Sequence, residues 1–187
     1  MKKFRLVALA LLVLLMSIAF ILPLSAAAAT SHTNTANTTS TVTNRFTGIP
    51  VSGTTSNGGT FQGRLNVTSF ANQNGNLVAN GTLNGTVRNS AGKVIAKVTN
   101  QAVTTPTTIS QATCTILNLV IGPIHLDLLG LVIDTNQITI NITANPAGGL
   151  LGQLLCDIAN LLSNGGLLGN LNAIVADLNQ IIALLGA

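Results

Sequence analysis

A chain of 187 residues that is 47% hydrophobic and only 6% charged is too apolar for a disordered polymer and long enough to bury a real core. Its 8 Lys and Arg against 4 Asp and Glu give a formal charge of +4, but Lys2, Lys3 and Arg5 lie in a leader-like start, and without them the balance is 5 − 4, or +1. The other cations, Arg45, Arg64, Arg88, Lys93 and Lys97, stand singly in a chain with no Trp or Tyr to stack bases, a pattern that excludes a nucleic-acid partner.

Residues 1–29 run from the basic "MKKFR" through "LVALALLVLLMSIAFIL" to Pro23 and the small-residue run "SAAAA". That order predicts a secretory signal peptide, with A-x-A-like cleavage sites after the apolar run. An uncleaved anchor is the competing reading, and the proline and alanine cluster favour cleavage. Contact with a membrane is then expected only transiently, during export. Residues 30–44, "TSHTNTANTTSTVTN", have too little apolar surface to offset the entropy of ordering them and predict a flexible spacer; His32 falls in it. Residues 45–187 are expected to form one β-rich domain, with strands over about 45–144 and helices over about 148–186.

From Arg45 the apolar period is two. In "TFQGRLNVTSF", Phe61, Gly63, Leu65 and Val67 share one face and Gln62, Arg64, Asn66 and Thr68 the other, as in a half-buried antiparallel strand. Asn74-Gly75 predicts a tight turn. In the next run Leu77, Ala79, Gly81, Leu83, Gly85 and Val87 share a face if the strand continues through two further Asn-Gly pairs, its glycines permitting a bend or a close approach. "NSAGK" turns the chain into "KVIAKVTNQAV", and "ATCTILNLVIG" and "NQITINITAN" extend the meander. The run "TCTILNLVIG" is apolar on both faces and is expected to be covered on both.

Past Asn145-Pro146 and Gly148-Gly149 the period becomes helical: Leu151, Leu154, Leu155, Ile158, Leu161 and Leu162, then, after "SNGG", Leu171, Ile174, Val175, Leu178, Ile181, Ile182 and Leu185. Two helices in a hairpin, packed on the sheet, are predicted. Asn172, Asp177, Asn179 and Gln180 interrupt the second stripe, which argues against a membrane span. The fold class is therefore α+β, mainly β: an antiparallel meander able to curl toward a barrel, with two C-terminal helices.

Cys114 and Cys156 pair in only one way, and in an exported chain a disulfide is the expected state. Such a bridge would stabilise the fold by about 4 kcal/mol, leaving from a flank of the helical stripe.

In "IGPIHLDLLGLVID", His125 and Asp127 project to one strand face and Ile124, Leu126 and Leu128 to the other, while Asp134 opens "DTNQ" as a turn-forming aspartate. One histidine and two carboxylates make a weak metal set, and a solvated or backbone-satisfying role is the reading adopted. No G-x-S-x-G elbow occurs, and any serine or threonine nucleophile would depend on His125 as base. No cofactor and no catalytic residue is expected. Sequons at Asn37, Asn66, Asn80, Asn84 and Asn141 are what a chain rich in Asn and Thr yields by chance.

The combination "CTILNLVIGPIHLDLLGLVID" with "NPAGGLLGQLLCDIANLL" resembles a group of secreted bacterial proteins that share a cysteine, a G-P-x-H-L-D-L-L-G-L core and a later L-L-G-x-L-L-C segment. The resemblance spans Cys114 to Leu162. It implies that Cys114, Cys156, Gly122, Pro123, His125, Asp127 and Gly130 belong to one unit, and it implies no activity.

Three functional classes follow. The first is a secreted, noncatalytic extracellular or envelope-associated protein that makes contacts with an extracellular protein or envelope component through strand positions rich in Asn, Thr and Gln. The second is a binder of an apolar small molecule or lipid between sheet and helices. The third is a hydrolase or metalloenzyme centred on His125.

Overall fold

A computed structural model describes residues 45–185, which fall within one compact unit, Val42–Ala187. The predicted signal peptide and the spacer over 30–44 lie outside the described residues. Eight strands, β1 (Ile49–Thr55), β2 (Thr60–Gln73), β3 (Asn76–Arg88), β4 (Val94–Ala112), β5 (Ile116–Ile121), β6 (His125–Leu128), β7 (Leu131–Thr135) and β8 (Ile138–Thr143), precede one helix, α1 (Leu150–Leu184). All pairings are antiparallel.

The period-two reading of β2 and β3 holds. Phe61, Leu65, Val67, Leu77, Ala79, Leu83 and Val87 are buried, while Gln62, Arg64 and Thr68 face solvent. Asn74 and Gly75 both take positive φ, the backbone of a tight hairpin turn. The Phe61 ring lies across Gly63 and Gly85, where an added Cβ would come within 2.6 Å and 2.4 Å of ring carbons. Those two glycines make room for the largest side chain at that end of the core.

The sheet order is β6-β7-β1-β2-β3-β4-β5-β8, so only β1 to β5 form a meander. After β5 the chain crosses to the far edge as the β6–β7 hairpin and returns beside β5 as β8. Laid flat, β7 and β8 would stand six strand spacings apart, about 29 Å. Only Asn136 and Gln137 join them, and that link spans at most about 11 Å between flanking Cα atoms. The sheet must therefore curl until its edges approach, as the barrel-like expectation required.

The apolar lining of the curl and one side of α1 form a shared core. Phe61, Leu65, Leu83, Leu117, Leu119, Ile121 and Ile133 from strands are fully buried with Leu155, Ile158, Ile174 and Leu178 from the helix. Burial of side chains this size contributes roughly 1.5–3 kcal/mol each. Strand β5 departs from expectation: Leu117, Leu119 and Ile121 are buried but Ile116, Asn118 and Val120 are half-exposed. Its second face is only partly covered because α1 makes its main contacts with β2, then β3 and β4.

Where two separate helices were predicted, the structure has one helical element, Leu150–Leu184, in which two helical arms meet across a kink: the "SNGG" signal falls there, and Gly166 (φ 66°, ψ −179°) and Asn170 take non-helical backbone. The kink is sharp. Asn170 Nδ2 donates to the Leu161 carbonyl at 2.7 Å, although residues nine apart on a straight helix would be about 13.5 Å apart along the axis. Helix α1 is long and apolar enough to cross a membrane by length and composition; in this fold its apolar stripe lies in the core.

Candidate functional site

The Cys114–Cys156 disulfide is formed, with Cα atoms 4.0 Å apart across a sequence separation of 42. Cys114 sits in the β4–β5 turn, which Thr113 organises by accepting the Ile116 N–H on Oγ1 at 3.0 Å. Cys156 leaves α1 from a half-buried position beside the buried Leu155 and Ile158. This is the flank geometry expected from the helical wheel.

Of the three polar residues singled out in the sequence, the structure brings two together. His125 and Asp134 are directly opposite on β6 and β7, and Nδ1 of the imidazole lies 2.6 Å from Oδ1 of the carboxylate, with the side chains 68% and 61% exposed. Thr135 donates its N–H to the Ile124 carbonyl, so by ladder alternation His125 and Asp134 form a non-hydrogen-bonded pair, the closer kind, and their side chains meet easily. Asp134 is thus a strand residue and not a turn opener. Its neighbour Thr135 does the local backbone work, accepting the Ile124 N–H on Oγ1 at 2.9 Å.

Asp127 has a separate task. Its Oδ1 accepts the Gly130 N–H at 2.8 Å and steadies a two-residue turn in which Leu129 (φ 55°) and Gly130 (φ 91°) both take left-handed backbone. Among the described residues no three His, Cys, Asp or Glu side chains gather as a metal set.

The chemistry open to His125 follows from this arrangement. A carboxylate on Nδ1 orients an imidazole so that Nε2 could act as a base. A hydroxyl nucleophile must then lie on the Nε2 side. The hydroxyl residue next in the row is Thr54, opposite Asp134 on β1, and it lies beyond the carboxylate. The order Thr54, Asp134, His125 places the acid between the other two and does not make a relay.

The clefts lie elsewhere. One of about 640 Å³ runs over the exposed side of β1 and β2, between Pro50, Ser52, Gln62 and Arg64. A second of about 300 Å³ separates the start of β1 from β8 and is lined by Arg45, Thr47, Ile49, Pro50, Thr139 and Asn141. They share Pro50. Arg64 Nη1 donates to the Gly48 carbonyl at 2.8 Å, and among the described residues the contact between a basic and an acidic side chain is His125–Asp134, so neither Arg45 nor Arg64 is neutralised there by a carboxylate. Sequence reasoning missed these clefts. The available signal was the proline in "IPVSGTT", since proline within a strand marks a place where the ladder stops.

On α1, burial first and then the nearby Asp157 carboxylate push the Asp177 carboxyl above its ordinary value of 3.8. These acids are twenty residues apart in sequence, and the kink brings them within electrostatic reach.

The fold and its surface define a curled antiparallel sheet stapled to a kinked apolar helix, with an exposed His–Asp pair at one edge and arginine-flanked clefts near the other. No protein-family model, no curated protein and no solved structure matches this chain.

Proposed function

We propose that this is an exported, noncatalytic protein of the extracellular space or cell envelope that works through its surface contacts. The observation that carries this reading is the chemistry of the outward strand positions. Gln62, Thr68, Thr104, Thr108, Thr139 and Asn141 are exposed, uncharged and able to donate and accept hydrogen bonds, but none is a reactive group. The His125–Asp134 pair, open to solvent on both partners, fits a surface cross-strand contact worth about 0.2–1 kcal/mol. A disulfide between Cys114 and Cys156 hints at a compartment outside the cytoplasm, in keeping with the leader-like first 29 residues and with the resemblance to secreted bacterial proteins. The apolar-ligand reading calls for a cavity lined by Leu, Ile and Val, whereas the clefts at Pro50 mix apolar residues with Arg45, Ser52, Gln62, Arg64, Thr139 and Asn141.

Native mass spectrometry of medium and envelope fractions, after expression of the full chain in a bacterial host, tests this. The expected species begins near Ala26–Thr30, is lighter than the dithiol form by the two hydrogens lost to the disulfide, and carries no lipid. Full-length protein with free thiols in the cytoplasm would overturn export. A stoichiometric lipid adduct would overturn the contact reading in favour of an apolar-ligand binder.

A further inference from the structure

We infer that the seam between β8 and the first half of β1 is a strand-acceptor groove for an extended, acidic polypeptide segment. This rests on the contact-protein reading and names the kind of partner.

Backbone register makes the groove. Ala144 donates its N–H to the Thr115 carbonyl, and bonded pairs alternate along an antiparallel ladder. Ile142, Ile140 and Ile138 therefore turn their backbone groups to β5, while Thr139, Asn141 and Thr143 turn theirs away, into the seam. On the opposite wall, Asn136 donates to the Ser52 carbonyl and Ser56 to the Val132 carbonyl, so even-numbered β1 residues face the β7–β8 side. At the seam that residue is Pro50, which has no N–H to offer. The ladder between β7 and β1 covers Gly53–Thr55, with flanking backbone bonds at Ser52 and Ser56. Beyond it the curled sheet stays open, and β8 has no strand partner among the described residues except β5.

The two outer edges of the sheet are treated differently. Strand β6 carries His125 and Asp127 and ends in a tight turn, devices that discourage edge pairing. Strand β8, "ITINIT", has no charge and alternates buried isoleucine with outward Thr and Asn, a sequence well suited to accept another strand. Its edge forms one wall of a cleft whose other wall is β1. A single extended chain suits such a site, whereas a second copy would bring its own flanking strands. Alternating backbone N–H and C=O groups select a polypeptide over a polysaccharide. Charge selects its side chains: Arg45 lines this cleft and Arg64 the adjoining one, neither paired with a carboxylate among the described residues.

The test titrates the full chain with a capped synthetic peptide of about ten residues that alternates Asp with Val, about the length needed to span β8. Saturable binding is expected, slowing exchange of the Thr139 and Asn141 amides by about tenfold or more. N-methylation of the peptide amides that face β8 should weaken binding about tenfold, replacement of Asp by Lys should abolish it, and Arg45→Gln should weaken it about three- to tenfold. Thr139→Pro, which removes an N–H not used by β5, should also block the peptide. Binding indifferent to N-methylation, no binding at all, tighter binding of a polyuronate oligosaccharide than of the peptide, or concentration-dependent self-protection of the same amides would each overturn the inference. Peptide failure would leave the mass-spectrometric test of export and contact function untouched, so the two can fail separately.

Discussion

Asn179 holds the backbone of Phe70 with both halves of its amide: Oδ1 accepts the Phe70 N–H at 2.8 Å, and Nδ2 donates to the Phe70 carbonyl at 3.0 Å. Pairing of β1 with β2 ends at Ile49 and Leu65, so Phe70 has no strand on that side, and a helix side chain takes the place of one. Close by, Asn172 Oδ1 accepts from Asn72 Nδ2 at 2.8 Å. Asn179→Ala should lower stability by about 1–3 kcal/mol, because it leaves two part-buried backbone groups without partners. Urea unfolding should show a lower midpoint at unchanged slope.

Removing the disulfide acts on the unfolded chain more than on the folded one. Cys114→Ser should lower stability by about 4 kcal/mol or less for a closed loop of this size, read as a fall in melting temperature under non-reducing conditions. Export should be unaffected. Unchanged melting would show that the bridge contributes nothing.

Much of this architecture could be read from period and turn chemistry, and the failures have physical causes. Alternation identified the buried faces of β2 and β3, Asn74-Gly75 announced its turn, and leucine spacing identified α1. The break at Gly166 was legible as the division between two helical arms, but not that the arms stay joined as one kinked element, because glycine signals where a helix can bend and not whether a separate loop intervenes. Strand β4 runs to Ala112, well past the "KVIAKVTNQAV" read as a strand, since Pro106 and the threonines around it look like loop. Asn172 and Asn179 were seen only as interruptions of an apolar stripe. Their role depends on a strand one hundred or more residues away, which no local pattern encodes. In the candidate site, strand alternation placed His125 and Asp127 correctly on one face, but pairing with Asp134 depends on the register of β7.

Folding shifts the balance of the Asp177 carboxyl toward its neutral form. Because burial and then Asp157 raise its folded pKa above the ordinary 3.8, the folded protein binds more protons than the unfolded chain between those two values. Stability from this group is therefore present at low pH and is lost as pH rises through the folded value. Asp177→Asn should stabilise the protein at neutral pH by about 0.2–1 kcal/mol, the scale of a largely solvated charge interaction, and should flatten that part of the stability-versus-pH curve.

Leu129 is fully exposed at the β6–β7 turn with φ 55°, a conformation that costs a residue bearing a Cβ roughly 1–2 kcal/mol. Leu129→Gly should relieve part of that strain, and Leu129→Asn should raise stability by up to about 1 kcal/mol, since asparagine suits the first position of such a turn. Chemical denaturation of both variants checks this; a loss of stability would mean that the leucine is held by contacts this turn does not show.

Amide hydrogen exchange at Phe70 tests most directly whether the helix is seated on the sheet. Its N–H has the Asn179 side chain as acceptor, so it should exchange slowly in the native protein and become fast in Asn179→Ala while Leu65, deeper in β2, stays protected. A Phe70 amide that already exchanges at the rate of an open strand edge in the native protein would contradict the docking of α1 and the shared core built on it.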